Sequence, residues 1–481
     1  MNSTESYHQH PIKILSYTTK FFWLLLIPLV RGLIAIKWDF ATWLRGAWID
    51  ISVIILIFIF AYARWYNVKY SFNSSSVTIK NGIYLKNTYS IFYTNISAYT
   101  VEKNFFLNLI NANKLRIDTN TGSKKKSDIF LTIKNNSADK FIKTFNDFNI
   151  SHDLKSTYSP KKSYLFIFSL LFSNTLSGAI LIATLIYQSG QYIGRELESR
   201  VMFTVDEITK KLSLDLPPAA IYLSLFIICG WVLSFILNML RYWKFSASRK
   251  GSNLKVISGF IIKRIHNIST PKINYVDFRQ SLLTMLFRVS SVHIHCTGYG
   301  KIKRELAVLI PITTKHQVIN SLRMLLPEFK PSNPSVVPGP HQMQRFILFP
   351  VIYILATPLI ALILMRIFPS WIEMIIFIAF VFEIPFIWGL IVKIVANYST
   401  GIGKKDDFVI IKYNRLYSFH QLIIPQSKIC SVKISQTPFQ KTTNDCTVIF
   451  YTHAEHTKKH KVYNLRLRSV RDFLKSLSYE V

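Results

Sequence analysis

Apolar residues gather along this chain into six long runs that come in pairs, and between the pairs the pattern changes to short apolar and polar alternation. The first pair is Phe21–Ile36 and Trp48–Ala63, the second Ser163–Tyr187 and Pro217–Leu240, and the third Phe346–Met365 and Trp371–Val392. Most of these runs are close to the roughly 17–25 residues that a helix needs to cross a bilayer. The first pair is shorter and contains Arg31. Six transmembrane helices in three hairpins are predicted. The first run does not read as a cleavable signal, because a mostly polar stretch precedes it and no small-residue cleavage site follows.

The polar stretches repeat. RWYNVKYSFNSSSVTIKNG (Arg64–Gly82) and RYWKFSASRKGSNLKVISG (Arg241–Gly259) begin and end alike, and a shift of 177 positions lays Arg64–Thr119 on the second stretch without a gap. The third copy joins with small shifts, Ile423–Gln440 matching Ile268–Thr284 and Cys446–Phe450 matching Ser291–His295. Alternating runs such as VTIK, YLKNTYSIF, NKLRIDT and IFLTIK predict strands separated by Asn, Gly and Ser turns. Each copy closes on a helical pattern, Ser137–Phe148, Thr313–Leu326 and Ser469–Leu477, opened by a Ser or Thr placed to cap it. Gly82 and Gly259 fit turns that need positive φ, with Asn414 at that place in the third copy. The fold class expected is an α+β membrane protein whose three hairpins are each followed by a small β-barrel or sandwich with a C-terminal helix. The boundaries are 1–63, a segment and first hairpin; 64–160, first β-domain; 161–240, second hairpin with a loop at 188–216; 241–340, second domain; 341–392, third hairpin; and 393–481, third domain.

Charge sets the orientation. There are 58 lysines and arginines against 25 acidic residues, a formal net charge of +33, and the mean hydropathy is +0.26. Cations flank the outer ends of the pairs, including Arg64, Lys161, Lys162 and Arg241, while the long loop Gln188–Leu216 is mixed and acidic. By the positive-inside rule both termini and the three domains are cytoplasmic and the acidic loop faces outward. Trp65, Tyr66, Tyr242 and Trp243 stand where an interfacial aromatic belt is expected. Four widely spaced cysteines indicate neither a disulfide framework nor a zinc knuckle.

A transmembrane hairpin followed by about seven strands and a capping helix resembles the bacterial pleckstrin-homology (PH) domain, once called domain of unknown function 304 and also YdbS-like. Three copies with three hairpins resemble the YdbT-like membrane proteins. The residues carrying the likeness are His10 and Pro11, the turns at Gly82 and Gly259, and above all IPQSKICSV (Ile424–Val432) and QTPF (Gln436–Phe439). The first copy departs most, with Tyr93 and Thr94 in place of Ile-Pro and Asn104-Phe105 in place of Gln-x-Pro. The resemblance implies a PH-like fold and a bacterial cell-membrane location, and it implies no reaction.

No P-loop, GxSxG, HExxH or GxGxxG pattern is present, so neither an enzyme nor a cofactor is expected. His293, His295 and Cys296 alternate on one strand without a matching carboxylate, a weak metal signal, and His453, His456 and His460 are weaker still. Three basic turns occupy corresponding places: Lys124, Lys125 and Lys126; Lys301, Lys303 and Arg304; and Lys458, Lys459 and Lys461. Near an anionic leaflet each cation is worth about 1 kcal/mol, which makes these residues candidate contacts for anionic lipid or a protein partner. Nothing indicates nucleic acid, since no stacking array or groove-reading helix accompanies the charge. Glu383 is a mid-span carboxylate, with Arg31 a candidate partner. The expected function is a non-enzymatic membrane scaffold whose domains bind lipid headgroups or another envelope protein, in the setting of cell-envelope homeostasis. The alternative is a transporter or export accessory built around Glu383.

Overall fold

The computed structural model describes residues 6–19, 40–82, 85–119, 128–148, 156–172, 203, 207, 218–296, 307–452 and 458–478. Among them three apolar helices are long enough to cross a bilayer, Leu223–Tyr242, Pro340–Ile367 and Pro369–Ser399, and Ile51–Tyr66 and Lys162–Leu171 are shorter apolar helices. Much of the first hairpin and most of the loop at 188–216 lie outside the described residues.

Each of the three repeats builds two antiparallel sheets around its own apolar core. In the first, β1 (Tyr7–His8), β2 (Lys69–Phe72), β3 (Ser76–Asn81) and β4 (Asn87–Phe92) form one sheet, and β5 (Ile96–Asn104), β6 (Ala112–Thr119) and β7 (Ile129–Lys134) begin another. The second repeats this with β8 (Ser156–Tyr158), β9 (Ser246–Lys250), β10 (Asn253–Ser258) and β11 (Ile262–Ser269), then β12 (Ile273–Ser281), β13 (Val289–Cys296) and β14 (Val308–Thr314). The third has β15 (Gly401–Lys405), β16 (Phe408–Arg415) and β17 (Ser418–Pro425), then β18 (Ile429–Ser435), β19 (Asp445–Thr452) and β20 (Lys458–Arg466). The closing helices are Asn135–Phe148, Lys315–Leu325 and Leu467–Ser476, whose apolar faces bury Phe141, Leu322 and Phe473 respectively.

Two boundaries differ from the sequence reading. Ser156–Tyr158 pairs with β9 and Val336 bridges Ile402, so residues assigned to the first and second domains complete the sheet of the repeat that follows. Tyr7 and His8, ahead of the first hairpin, play the same part by pairing with Tyr70 and Lys69. The first two hairpins therefore follow a first short strand and the third follows the single bridge at Val336, pieces too brief to show a period in the sequence.

The sheets also do not stop at the repeats. β5 pairs with β11 to give a seven-stranded sheet, β7-β6-β5-β11-β10-β9-β8, and β12 pairs with β17 to give a six-stranded one, β14-β13-β12-β17-β16-β15. The cores follow suit, since Ala98 of the first repeat and Ile423 of the third pack into the core of the second.

Local chemistry explains the turns, with corrections. Gly82 and Gly259 have φ of +128° and +105°, and a Cβ on Gly259 would lie 2.0 Å from the Ile262 carbonyl oxygen. In the third repeat the positive φ belongs to Leu416, not Asn414; Asn414 instead donates to the Leu416 and Ser418 carbonyls at 3.0 and 3.1 Å. The closing helices at Lys315 and Leu467 have no side-chain cap. Asn111, Arg288 and Asn444, at equivalent places and all with positive φ, turn their carbonyls onto the first N–H of the three helices, Asn135, Lys315 and Leu467. The side-chain caps lie elsewhere, as capping boxes of Ser281 with Thr284 and Thr437 with Gln440.

Candidate functional site

The strands have a membrane end and a distal end. β9 leaves the apolar helix Pro218–Tyr242, and the β10–β11 turn comes back to it: the Gly259 and Phe260 N–H groups donate to the Trp243 and Leu240 carbonyls at 3.0 and 2.9 Å. In the third repeat the Leu416–Tyr417 turn reaches along the helix Ile372–Ser399 until the Tyr417 hydroxyl donates to the Pro385 carbonyl at 3.2 Å, and Lys393 Nζ donates to Asn414 Oδ1 at 2.8 Å. Short helices at Phe105–Leu109, Leu282–Leu286 and Pro438–Thr442 return the chain at the same end. Together these tips expose Leu85, Phe105, Phe106, Leu109, Phe260, Leu286, Phe287, Leu416 and Phe439. Burying one such side chain fully is worth about 1.5–3 kcal/mol, and an apolar rim beside membrane helices is where that gain is available.

A cationic cleft of about 890 Å³ opens at this end of the third repeat, lined by Arg345, Arg466, Arg468, Arg471 and Lys475 with Asp445 and Asp472. Arg345 stands in the first turn of the helix Met343–Ile367. Its Nη1 donates to buried Asp445 Oδ2 at 3.0 Å, and its Nη2 donates to the Phe439 carbonyl and Thr443 Oγ1. Asp445 is thus paired from within, leaving Arg466, Arg468, Arg471 and Lys475 exposed along the cleft with Asp472.

The junctions between repeats hold the buried charges. In the first, Glu102 meets Arg116 at 2.9 Å and Arg264 at 3.4 Å, Thr100 Oγ1 lies 2.9 Å from His266 Nδ1, and Asn267 Nδ2 donates to Tyr99 Oη at 3.0 Å. In the second, Asp277 accepts from Arg279 Nε at 2.6 Å and faces His420 Nδ1 at 3.1 Å and His295 Nε2 at 3.8 Å. Burial pushes the Asp277 carboxyl up, but Arg279 and His420, with hydrogen bonds from His295 and His420, hold it well below the usual carboxylate range. Burial pushes His266 and His460 down to about 3 and His295 to about 4. These rings are neutral at physiological pH and act as hydrogen-bonding spacers.

The sequence-predicted residues divide accordingly. Lys458, Lys459 and Lys461 lie on strand β20, not in the turn, at its distal end; Lys458 reaches the second repeat, with Nζ 3.1 Å from His295 Nδ1 and 5.8 Å from the Tyr275 ring centre. Lys124, Lys125, Lys126, Lys301, Lys303 and Arg304 are outside the described residues, as are His453, His456 and Arg31. β6 and β13, the strands that precede the lysine runs in sequence, run away from the membrane-end short helices. Of the belt residues, Trp65 donates to the Gln9 carbonyl at 2.8 Å and so ties β1 to its helix, and Arg64 lies 5.2 Å from the Tyr17 ring. Trp243 packs edge-on against Phe260, while Tyr242 is buried against Phe168 in the core instead of in the belt. Lys161 and Lys162 stand at the start of the helix Lys162–Leu171, and Arg241 ends Pro218–Tyr242. Glu383 is partly shielded within Ile372–Ser399 and its Oε2 has no hydrogen-bond partner among the described residues.

The carboxylate facing His293 and His295 is Asp277, on the neighbouring strand, yet no group of three or more His, Cys, Asp or Glu able to hold a metal occurs among the described residues. The sequence reading missed Asp277, Glu102, the arginine cleft and the apolar tips. The QTPF string was its nearest signal: Gln436 Nε2 donates to the Asp445 carbonyl at 2.7 Å, as the equivalent Gln280 does to Val289 at 3.0 Å, so the motif builds the membrane-end turn.

The family described as Bacterial PH domain matches residues 22–146, 211–324 and 347–481. The UPF0699 transmembrane protein YdbT of Bacillus subtilis (strain 168) is 20% identical over 289 residues, 55% of this chain and 57% of that protein, so the match spans a little over half of each. No solved structure matches the chain. With three matches that fall on the three repeats and cover most of its length, the chain belongs to the bacterial PH-domain family.

Proposed function

We propose that this membrane protein is a non-enzymatic scaffold that holds three PH-like domains as one continuous body on the cytoplasmic face of the cell membrane. Six helices in three hairpins, with both termini cytoplasmic, would carry that body. The observation that carries the reading is the pairing of β5 with β11 and of β12 with β17, which joins the domains edge to edge. Separate ligand-binding modules on flexible tethers need no such joins. The apolar rim and the arginine cleft seat the body on anionic headgroups, and the distal ends remain free for another envelope protein.

Spin-label depth measurements in anionic nanodiscs test this. With exposed Cys229 and Cys430 changed to Ser, single nitroxides at Phe106, Leu286 and Phe439 are expected to relax with oxygen, the membrane-soluble quencher. Labels at Lys459 and Lys125 should relax with a water-soluble nickel chelate. Nickel access at all five positions would remove the seating on the leaflet, and membrane depth at Lys459 would invert the body.

A further inference from the structure

The array has two unlike open edges, and they match. β4 holds in the first repeat the place of β11 and β17, and β18 holds in the third the place of β5 and β12. Within the chain every β11-type edge that has a preceding repeat is paired to it, and every β5-type edge that has a following repeat is paired to that. Only the outer two remain, and among the described residues no strand pairs with the free side of either.

Both internal junctions use one register. Counted from the short 3₁₀ turns that precede β5, β12 and β18, Tyr99 opposite Asn267 corresponds to Val276 opposite Ile423, and Thr100 opposite His266 corresponds to Asp277 opposite Leu422. The same count on the open edges sets Ser90 opposite Val432 and Tyr89 opposite Lys433. Exposure follows the pairing: His266 is 6% and Leu422 0% exposed, whereas Tyr89 in their place is 56% exposed. Thr100 and Asp277 are buried, and Lys433 in their place is exposed.

Neither edge is defended. Free edges are usually blunted by charges, proline or a covering segment because their unpaired N–H and C=O groups recruit other strands. β4 reads NTYSIF without a charge or proline, and β18 reads ICSVKIS with one lysine. Lys433 laid beside Tyr89 is a favourable pair of cation and aromatic face.

We propose that a second copy of the chain lays its β4 on β18, head to tail, in the register of the internal junctions. One chain carries both halves of the contact in equal number. Applied once more across the open edges, the step that carries one repeat to the next sets a new copy against this chain as the repeats are set against each other. Such a contact is heterologous and extends until a ring closes or the array runs on in the membrane plane. The proposal goes beyond the scaffold reading and shares with it only the fused array.

Disulfide cross-linking of the full chain in native membranes tests it, again with Cys229 and Cys430 changed to Ser. Directly opposed strand residues bring Cα atoms to about 4.5–5.5 Å, inside the range a disulfide accepts. Oxidation of the Ser90→Cys, Val432→Cys double variant should yield covalent dimers and a ladder above them. Mixed chains carrying one cysteine each should yield dimers only, and each single variant alone should yield no linked product. Moving the second cysteine from Val432 to Lys433 should cut the yield about tenfold, because it turns to the other face. The Lys103→Cys, Lys263→Cys pair, opposed across the first internal junction, should link within the chain and shows that the array is folded. That internal link without any between chains would overturn the self-assembly alone, and its absence would overturn the fused array as well. Ser90→Cys chains linking to one another as well as to Val432→Cys chains, or a Ser90-to-Val432 link inside a monomer, would also overturn the proposal.

Discussion

Asp277→Asn should loosen the second junction and leave the first intact. The carboxylate is 2% exposed, accepts from Arg279 Nε at 2.6 Å and faces His420 across the seam between β12 and β17. Neutralising it strands a guanidinium whose side chain is 22% exposed. Breaking a buried pair by removing one partner costs about 3–5 kcal/mol. The lower end applies here, because Asn keeps an acceptor oxygen for Arg279 and water reaches part of the guanidinium. About 3 kcal/mol is a factor on the order of 100 in the opening equilibrium. Hydrogen exchange of the whole protein in nanodiscs reads this directly: β12 and β17 amides should exchange on the order of 100-fold faster, while β5 and β11 keep their rates. Unchanged protection in β12 and β17 would refute the role of the charge. Equal loss at both junctions would mean a general loss of stability and not a local seam.

Two further outcomes follow from the same physics. His295 and His460 are pushed down to about 4 and about 3 by burial, so the unfolded state binds their protons first as pH falls below about 6.5, and stability should drop from there toward pH 4 and stay level above pH 7; the reaction of buried Cys296 with a disulfide reagent active in acid should accelerate over that window, and a flat profile would contradict neutral buried rings. Gly259→Ala, with φ at +105° and its Cβ driven to 2.0 Å from a carbonyl oxygen, should cost more than about 1 kcal/mol and release the Gly259 and Phe260 amides from the helix end, seen as faster exchange at those two sites with Gly82 unaffected.

How much of this was legible in the sequence depends on the range of the interaction. The 177-residue repeat, the alternation in VTIK and IFLTIK, and the closing helices were readable because period and turn chemistry are written in neighbouring residues. Gly82 and Gly259 were readable because the left-handed region selects glycine, whereas Leu416 was not, since Asn414 holds that turn through its side chain. Edge pairing leaves no local trace. The alternation of β5 is the same whether or not β11 lies beside it, so the continuous sheets and the Asp277 and Glu102 clusters they create could not be seen. The helix caps were misplaced for the same reason, their acceptors being the carbonyls of Asn111, Arg288 and Asn444 on another element.

On the proposed seating, the polarity of the repeats decides which cations feel the leaflet. β19 and β20, eight and nine residues long, separate the membrane-end turn at Phe439 from Lys458 and Lys459. At about 3.3 Å per residue that is roughly 25 Å, three screening lengths at about 8 Å each. An attraction worth about 1 kcal/mol per charge at the surface then falls about twentyfold at the distal turn, below thermal energy even for three lysines together. The arginines at 345, 466, 468 and 471 line the membrane-end cleft, and they differ from the distal residues in type as well as place: a forked guanidinium pairs with phosphate through two donors, while a lysine is a hydrated point charge. Among the described residues, then, the arginine cleft stands at the membrane end and the lysines of β20 form a distal population. Lys458 already lies against His295 and Tyr275 of the preceding repeat, so part of the distal population serves the seam between domains.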